Sequence, residues 1–157
     1  MAVTIYNVRT LAVEGKNGYG HDERVLAKGR QLGCDLIGLQ ETRRSGSTTF
    51  RAAGYRVFCS GQEIKAARQG LYGVGLSVKE SLCSKSVHSH QFIDDRRTSM
   101  RFEPTSKCEA VNFVVAYAPT DFTKDVELKR SFWQKLEVSI CTDGCQRANW
   151  TEDGRVW

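Results

Sequence analysis

Long apolar segments are missing from this chain of 157 residues. No stretch approaches the roughly 20 apolar residues that cross a membrane. The N-terminus has neither the basic flank nor the apolar run of a signal peptide. We therefore expect an intracellular protein that acts in the nucleus or the cytoplasm, is not secreted and has no membrane partner.

Internal repeats and low-complexity segments are also absent, and the chain contains only two prolines. This pattern is typical of one globular domain, and at this length a single domain buries a core of ordinary size. Nothing in the sequence indicates a particular protein partner.

The six cysteines lack a structural pattern. A disulfide framework is typical of small secreted domains, and a zinc site needs four ligands at short spacing. Cys141 and Cys145 are the only close pair, and no two further ligands follow them. We therefore expect free thiols in a reducing compartment.

Acidic residues are scarce between Thr42 and Lys79, where Glu63 is the only one. The net charge of the chain is +5. Such a segment favours a polyanion through phosphate contacts and counterion release, although a solvated basic loop would have the same composition. We predict DNA as the partner and nucleic-acid contacts from Arg43, Arg44 and Arg68.

The hydrophobic pattern predicts a layered α/β fold with more strands than helices. A helix is predicted from His21 to Gly33, and a second one capped by Asp121 or Thr123, with apolar positions at Val126, Leu128, Phe132 and Leu136. Residues 42–54 are expected to form a loop with at most a short strand. The predicted strands are 2–8, 36–40, 55–59, 71–78, 85–93, 97–103 and 111–117.

Three polar residues lie at the ends of predicted strands. Glu41 follows the nearly all-apolar strand 36–40, and a carboxylate there can bind magnesium or manganese; alternatively it is a surface acid paired with Arg43 or Arg44. Asn7 ends the first strand, where an amide can contact a phosphate or simply form a turn. Tyr117 lies at the end of another strand, as a phosphate contact or a half-buried core residue.

Four stretches, taken in order, resemble the endonuclease/exonuclease/phosphatase superfamily. Their order and spacing are most similar to the branch of apurinic endonucleases and non-LTR retrotransposon endonucleases, and within it to the craniofacial development protein 2-like set. The resemblance covers residues 1–137 and leaves 138–157 as a divergent tail. The stretches are Tyr6-Asn7-Val8-Arg9-Thr10-Leu11, Asp35 to Arg43, Tyr72-Gly73-Val74-Gly75-Leu76 and Val114 to Thr120.

The resemblance implies a four-layer αββα sandwich, of which this chain holds the N-terminal half, and a magnesium- or manganese-dependent DNA phosphodiesterase. Glu41 would bind the metal weakly in such a fragment, and Gln40 would support it. Asn7 and Tyr117 would be catalytic, with Tyr117 on the scissile phosphate. Arg9 and Thr120 replace an aspartate and an asparagine of the apurinic endonucleases, which argues against abasic-site repair.

The motifs that form the second half of the family's site cannot be identified in this sequence. It requires a Gly-Asp-Phe-Asn segment and a later Ser-Asp-His segment, and neither is present. The histidines lie elsewhere, and we interpret His88 and His90, which share a strand face, as ordinary surface or core residues. Without these motifs we expect a truncated and inactive domain with exposed apolar faces.

A frameshift would explain the missing motifs. One back-translation of Asp143–Trp150, shifted by one base, encodes Met-Asp-Ala-Asn-Ala-Arg-Thr-Gly, which contains Asp-x-Asn. We therefore predict a shift of reading frame between Leu136 and Asp143. The alternatives are a genuine divergent tail or a splice variant, and functionally a non-catalytic nucleic-acid-binding remnant or a phosphatase for a small phosphorylated substrate.

Overall fold

Two β-sheets and three helices form the part of this chain that the computed structural model describes, namely residues 1–11, 21–63, 72–103, 109–119 and 125–141. The predicted α/β fold with layered sheets is confirmed. Met1–Tyr117 form one compact unit and Ala118–Trp157 a second. The elements are β1 (Val3–Asn7), α1 (His21–Gln31), β2 (Leu36–Gln40), β3 (Thr48–Ala52), β4 (Tyr55–Ser60), β5 (Val74–Lys79), α2 (Glu80–Ser86), β6 (Val87–Asp94), β7 (Arg97–Phe102), β8 (Val111–Ala116) and α3 (Val126–Cys141).

The first sheet has the strand order β1-β2-β5-β4-β3. β1 and β2 are parallel, as expected for strands joined through a helix. The apolar side chains of β2 are buried on both faces, because α1 covers one face of the sheet and the second sheet covers the other. Leu26 of α1 belongs to the same core cluster as Ile37 and Leu39.

The second sheet is antiparallel, with the order β6-β7-β8. It packs on the face of the first sheet opposite α1, where Leu36 and Leu76 share a cluster with Met100 and Val115. Gly38 permits this close approach, since a Cβ atom there would lie 3.1 Å from Val115 Cγ2.

Two local features were not predicted from the sequence. The strand predicted over 85–93 begins at Val87, and the preceding Glu80–Ser86 form α2; this short, serine-rich helix has too little apolar periodicity to show in the sequence. Residues 42–54 contain the short strand β3, which the sequence allowed. It is joined to β4 through Ala53 and Gly54, whose φ values of 48° and 83° are typical of a two-residue hairpin turn. Alanine is an unusual residue in that conformation, so the turn could not be recognised.

The second unit contributes α3. Asp125 caps this helix, because its Oδ1 accepts a hydrogen bond from Leu128 N at 3.0 Å; the predicted caps Asp121 and Thr123 lie outside the described residues. Of the predicted apolar positions, Phe132 and Leu136 are buried, whereas Val126 and Leu128 are exposed.

α3 continues to Cys141, past the position where the divergent tail was predicted to begin. Residues 142–157 lie outside the described part, so the boundary at 137 and the frameshift stay predictions. Across the described ranges, no helix is long and apolar enough to cross a membrane.

The described cysteines agree with the expectation of free thiols. Cys34, Cys59 and Cys83 are buried and unpaired. Burial raises the pKa of the Cys59 thiol to about 12, so it stays protonated and unreactive. Cys108 and Cys145 lie outside the described residues.

Candidate active site

Strand ends of the first sheet converge at one edge. The parallel register places Asn7 opposite Gln40, and antiparallel β5 begins opposite Gln40 at Val74. The chain just beyond the strands stays paired, because Thr42 N donates to Gly73 O at 3.0 Å and Leu11 N donates to Thr42 O at 2.7 Å. The structure thus brings together the side chains that the sequence placed at separate strand ends.

Glu41 is the centre of this cluster. Its Oε1 accepts hydrogen bonds from Asn7 Nδ2 at 2.7 Å and from Tyr117 OH at 3.0 Å. Arg43, one of the two ion-pair partners considered from the sequence, lies 3.7 Å from Oε2. The hydrogen bond from Asn7, followed by the one from Tyr117 and the nearby Arg43, holds the pKa of Glu41 below its usual range despite partial burial. Glu41 is therefore an ionised carboxylate at neutral pH.

The second sheet supplies Tyr117. Gln40 Nε2 donates to Ala116 O at 2.8 Å, which joins the edges of the two sheets directly before Tyr117. Burial, with the hydrogen bond to Glu41, raises the pKa of the Tyr117 phenol. The phenol is therefore protonated at neutral pH, and it donates its single hydrogen bond to Glu41.

Tyr72 and Arg96 are site residues that sequence reasoning missed. The Arg96 guanidinium lies 3.7 Å from the centre of the Tyr72 ring, and Arg96 NH1 donates to Tyr117 O at 3.1 Å. Tyr72 stands in a stretch that carried the family resemblance, which was a usable signal. No sequence signal marked Arg96, because only the register of β7 on β8 places it beside Tyr117.

The backbone around the site adopts an unfavourable conformation. Arg9, Glu41 and Arg43 have φ values of 58°, 56° and 54°, in the left-handed region that side chains disfavour. Residues held this way cluster at functional sites, where the surrounding structure maintains the strain. The strain lies at the exits of β1 and β2, next to the Glu41 carboxylate.

A cleft of about 380 Å³ opens beside Asn7. Tyr6, Asn7 and Val8 line it from the end of β1. His21, Arg24, Val25 and Lys28 line it from α1. His21, Arg24 and Lys28 share one helix face at i, i+3 and i+7 spacing. The sequence alone did not indicate this basic rim, because β1 and α1 had first to be placed side by side.

Two of the three predicted nucleic-acid contacts, Arg43 and Arg44, lie within the described residues and have different surroundings. Arg43 is partly exposed beside Glu41. Arg44 pairs with Asp22 of α1 at 2.9 Å and stacks on Phe50 at 4.1 Å, so it tethers α1 to the segment after β2. Arg68 lies outside the described residues. Contact of these side chains with nucleic acid stays a prediction, with Arg43 the better placed.

His90, which the sequence predicted to be an ordinary surface or core residue, is half-buried. Its ring packs against Phe58 and Phe92, with centroids 4.5 and 4.2 Å away, and its Nε2 lies 2.8 Å from Thr98 Oγ1. The Thr98 hydroxyl donates to Gln91 O, so Nε2 of a neutral His90 carries the proton. Burial lowers the pKa of His90 to about 4.

A comparison with known protein families matches residues 5–152 to the Endonuclease/Exonuclease/phosphatase family. This chain belongs to that family. The match spans most of the sequence and includes every element from β1 to α3 at least in part. A search of curated proteins found no match.

Members of the family are hydrolases of the nuclease, phosphodiesterase or phosphatase type and generally depend on a divalent metal. The described residues contain no group of three His, Cys, Asp or Glu side chains that could hold a metal. The donor set is instead one ionised carboxylate, Glu41, beside the amide of Asn7. Magnesium and manganese suit it, because they are held by one or two carboxylates together with waters and substrate phosphates. Structural zinc does not, because it requires four protein ligands.

The departure from the apurinic endonucleases at Arg9 has a visible electrostatic effect. Arg9 follows Asn7 closely, and its backbone N donates to Asn7 Oδ1 at 3.1 Å. Its charge adds to the hydrogen bonds and to Arg43 in lowering the pKa of Glu41. The second departure, Thr120, lies outside the described residues.

Proposed function

We propose that this chain is a magnesium-dependent phosphodiesterase domain from the DNA-cleaving branch of its family, of non-LTR retrotransposon origin and related to the craniofacial development protein 2-like set. As this chain it binds metal and DNA and does not cleave DNA at an enzymatic rate. One observation carries the proposal: Glu41 is held ionised by Asn7 and Tyr117, which come from the ends of strands in both sheets.

Glu41 holds the metal in this proposal, and Gln40 supports it by fixing β2 to β8. When bound, the ion acts as a Lewis acid that stabilises developing charge on a phosphoryl oxygen. Asn7 and Tyr117 orient the carboxylate through Oε1, which leaves Oε2 facing Arg43.

Arg43 and Tyr117 are the groups that could meet a phosphate. Arg43 brings a positive charge to the Oε2 side of Glu41. Tyr117 donates its only proton to Glu41, so a hydrogen bond from Tyr117 to a phosphate requires the phenol to turn away from Glu41. Its predicted role on the scissile phosphate therefore implies a change on substrate binding.

Weak catalysis follows from the groups that accompany Glu41. Hydrolysis needs a base that deprotonates the attacking water. The described side chains in hydrogen-bond or ion-pair contact with Glu41 are Asn7, Tyr117 and Arg43, none of which is a histidine or a carboxylate. The Asp-x-Asn and Ser-Asp-His motifs that serve this purpose in the family are absent from this sequence, as the proposed frameshift before Asp143 would explain.

DNA is the partner that the charges favour. The net charge is +5, and the cleft beside Asn7 has a rim of His21, Arg24 and Lys28. The guanidinium of Arg24 and the ammonium of Lys28, on one face of α1 beside Asn7, suit a polymer with repeated phosphates more than a small phosphorylated substrate.

Calorimetric titration with Mg²⁺ and Mn²⁺ tests the metal site. Glu41→Gln keeps the size of the side chain and removes its charge, so we expect the affinity to fall at least tenfold, or about 1.4 kcal/mol. Glu80→Gln is the matched control, because Glu80 pairs with Arg51 beyond the opposite end of β5. Equal affinity in both variants would show that Glu41 is not the metal ligand.

A plasmid-nicking assay with Mg²⁺ tests the catalytic part of the proposal. We expect DNA binding without nicking above the background of Glu41→Gln. Rapid nicking that disappears in Glu41→Gln would keep the metal site and reject the proposed inactivity. DNA binding without any metal binding would instead favour a non-catalytic binding remnant.

A further inference from the structure

Arg96 occupies a turn that faces the candidate site. It lies between β6 and β7, and its backbone N donates to Asp94 Oδ1 at 2.9 Å, which fixes the turn. Asp94 also forms a hydrogen-bonded ion pair with Arg97. The turn is therefore already held by Asp94, and the Arg96 side chain is not needed to close it.

The Arg96 side chain contacts two tyrosines that flank strands of different sheets. Its guanidinium carbon lies 3.7 Å from the centre of the Tyr72 ring, and Tyr72 belongs to the segment that enters β5 of the first sheet. The same guanidinium lies 5.6 Å from the centre of the Tyr117 ring, at the exit of β8 in the second sheet. Both distances are within the range of a cation–π interaction.

Arg96 also holds the backbone of Tyr117 from two sides. Tyr117 N donates to Arg96 O at 2.9 Å, and Arg96 NH1 donates to Tyr117 O at 3.1 Å. The last ladder pair of the second sheet is Arg97 with Ala116, so Tyr117 lies beyond it. The phenol is directed toward the first sheet by the contacts with Arg96, by the Tyr72 ring, whose centroid lies 6.4 Å from that of Tyr117, and by the 3.0 Å hydrogen bond to Glu41.

We propose that Arg96, seated on Tyr72, is a positioning residue that holds the Tyr117 phenol on Glu41. The inference rests on the proposed function only for the importance of Glu41, since the contacts themselves involve neither metal nor DNA. A planar guanidinium is required, because it stacks on an aromatic face while donating hydrogen bonds in its own plane. A lysine ammonium would keep the charge but lose this combination.

The test is ¹⁹F NMR of the chain labelled with 3-fluorotyrosine, without metal or DNA. The Tyr117 signal is assigned by its loss in Tyr117→Phe. Glu41→Gln replaces the carboxylate acceptor with an amide, so it should displace the Tyr117 signal in an otherwise wild-type chain. We expect this displacement to be at least halved when Arg96 is changed to Lys or Gln, and also in Tyr72→Leu.

Tyr72→Phe is the matched control, because it keeps the ring under Arg96 and should retain the full displacement. The Tyr55 signal reports on folding, since its buried hydroxyl donates to Cys34 O far from these substitutions in sequence. If the Tyr55 signal shifts in one variant, that variant is misfolded, and the other variants still test whether Arg96 positions Tyr117.

Two results would overturn the inference. One is a full Glu41-dependent displacement in Arg96→Gln, which would mean that Tyr117 stays on Glu41 without the guanidinium; a loss in Tyr72→Leu alone would then be due to the direct contact of the Tyr72 and Tyr117 rings. The other is the lack of any displacement in the wild-type background, which would mean that Tyr117 is not on Glu41 in solution. A failure of the proposed metal or DNA binding changes neither reading.

Discussion

Gly73 lies where the entry to β5 meets the segment that follows Glu41. Its φ of 137° belongs to a region that side chains avoid, and its carbonyl accepts the hydrogen bond of Thr42 N. A Cβ atom there would overlap Thr42 Oγ1 and lie 3.0 Å from Arg43 N. Both neighbours belong to the strained turn that presents Glu41, so the site depends on this glycine.

We expect Gly73→Ala to lower the free energy of unfolding by about 3 kcal/mol, because it combines a forbidden backbone conformation with a steric clash. Gly33→Ala is the matched control: its φ is 72°, and nothing lies within 4 Å of a Cβ atom there. It should cost about 1 kcal/mol. Urea denaturation of both variants measures the difference, and equal costs would contradict the proposed clash.

The helix α1 links the core to the cleft at the scale of an element. Its inner face is anchored by buried Leu26 and Gly29, and Arg44 ties its first turn to the exit of β2. This anchoring fixes its outer residues His21, Arg24 and Lys28 beside Asn7. The helix thus places positive charge next to the proposed metal ligand.

We expect Lys28→Ala to weaken binding of duplex DNA and to reduce the slope of log K against log[salt] by about one, the effect of one lost phosphate contact. Lys79→Ala is the matched control, because Lys79 lies at the opposite end of β5 and pairs with Asp35. Fluorescence anisotropy at several salt concentrations gives both slopes. The cleft is not part of the DNA interface if the two variants behave alike.

Acid sensitivity is a property of the whole molecule, to which His90 and Glu41 both contribute. Burial lowers the pKa of His90 from its ordinary 6.5 to about 4. Between these values the unfolded chain binds a proton that the folded chain does not, so stability falls as the pH drops from 6.5 toward 4. The lowered pKa of Glu41 adds a loss at lower pH, as the pH falls below its ordinary value of 4.5.

We expect His90→Gln to remove the His90 part of this pH dependence, on the order of 1 kcal/mol between pH 6.5 and 4.5 after allowance for its partial exposure. His21→Gln is the matched control, because His21 is exposed on α1. Thermal unfolding across this pH range measures both. An unchanged slope in His90→Gln would contradict the buried neutral imidazole.

The sequence predicted the parts of the site that depend on local pattern. The apolar run before Glu41 indicated a strand buried on both faces, and such strands deliver polar residues at their ends. The hairpin turn was not predicted, because alanine rarely adopts the positive φ of Ala53. The helix α2 was not predicted, because its seven residues have too little apolar periodicity. The position of Arg96 in the site was not predicted for a different reason, because its neighbour Tyr117 is distant along the chain.

By itself, the sequence determined the α/β class, the order of most strands and the positions of Asn7, Glu41 and Tyr117 at strand ends, because hydrophobic periodicity is a local property. Only the tertiary structure decided that these three side chains share hydrogen bonds, that Arg96 lies on Tyr72, and that α1 lines a basic cleft. Such contacts depend on strand register and on the packing of one sheet against the other. Neither is encoded in any single segment, and so they emerge only when the whole core forms.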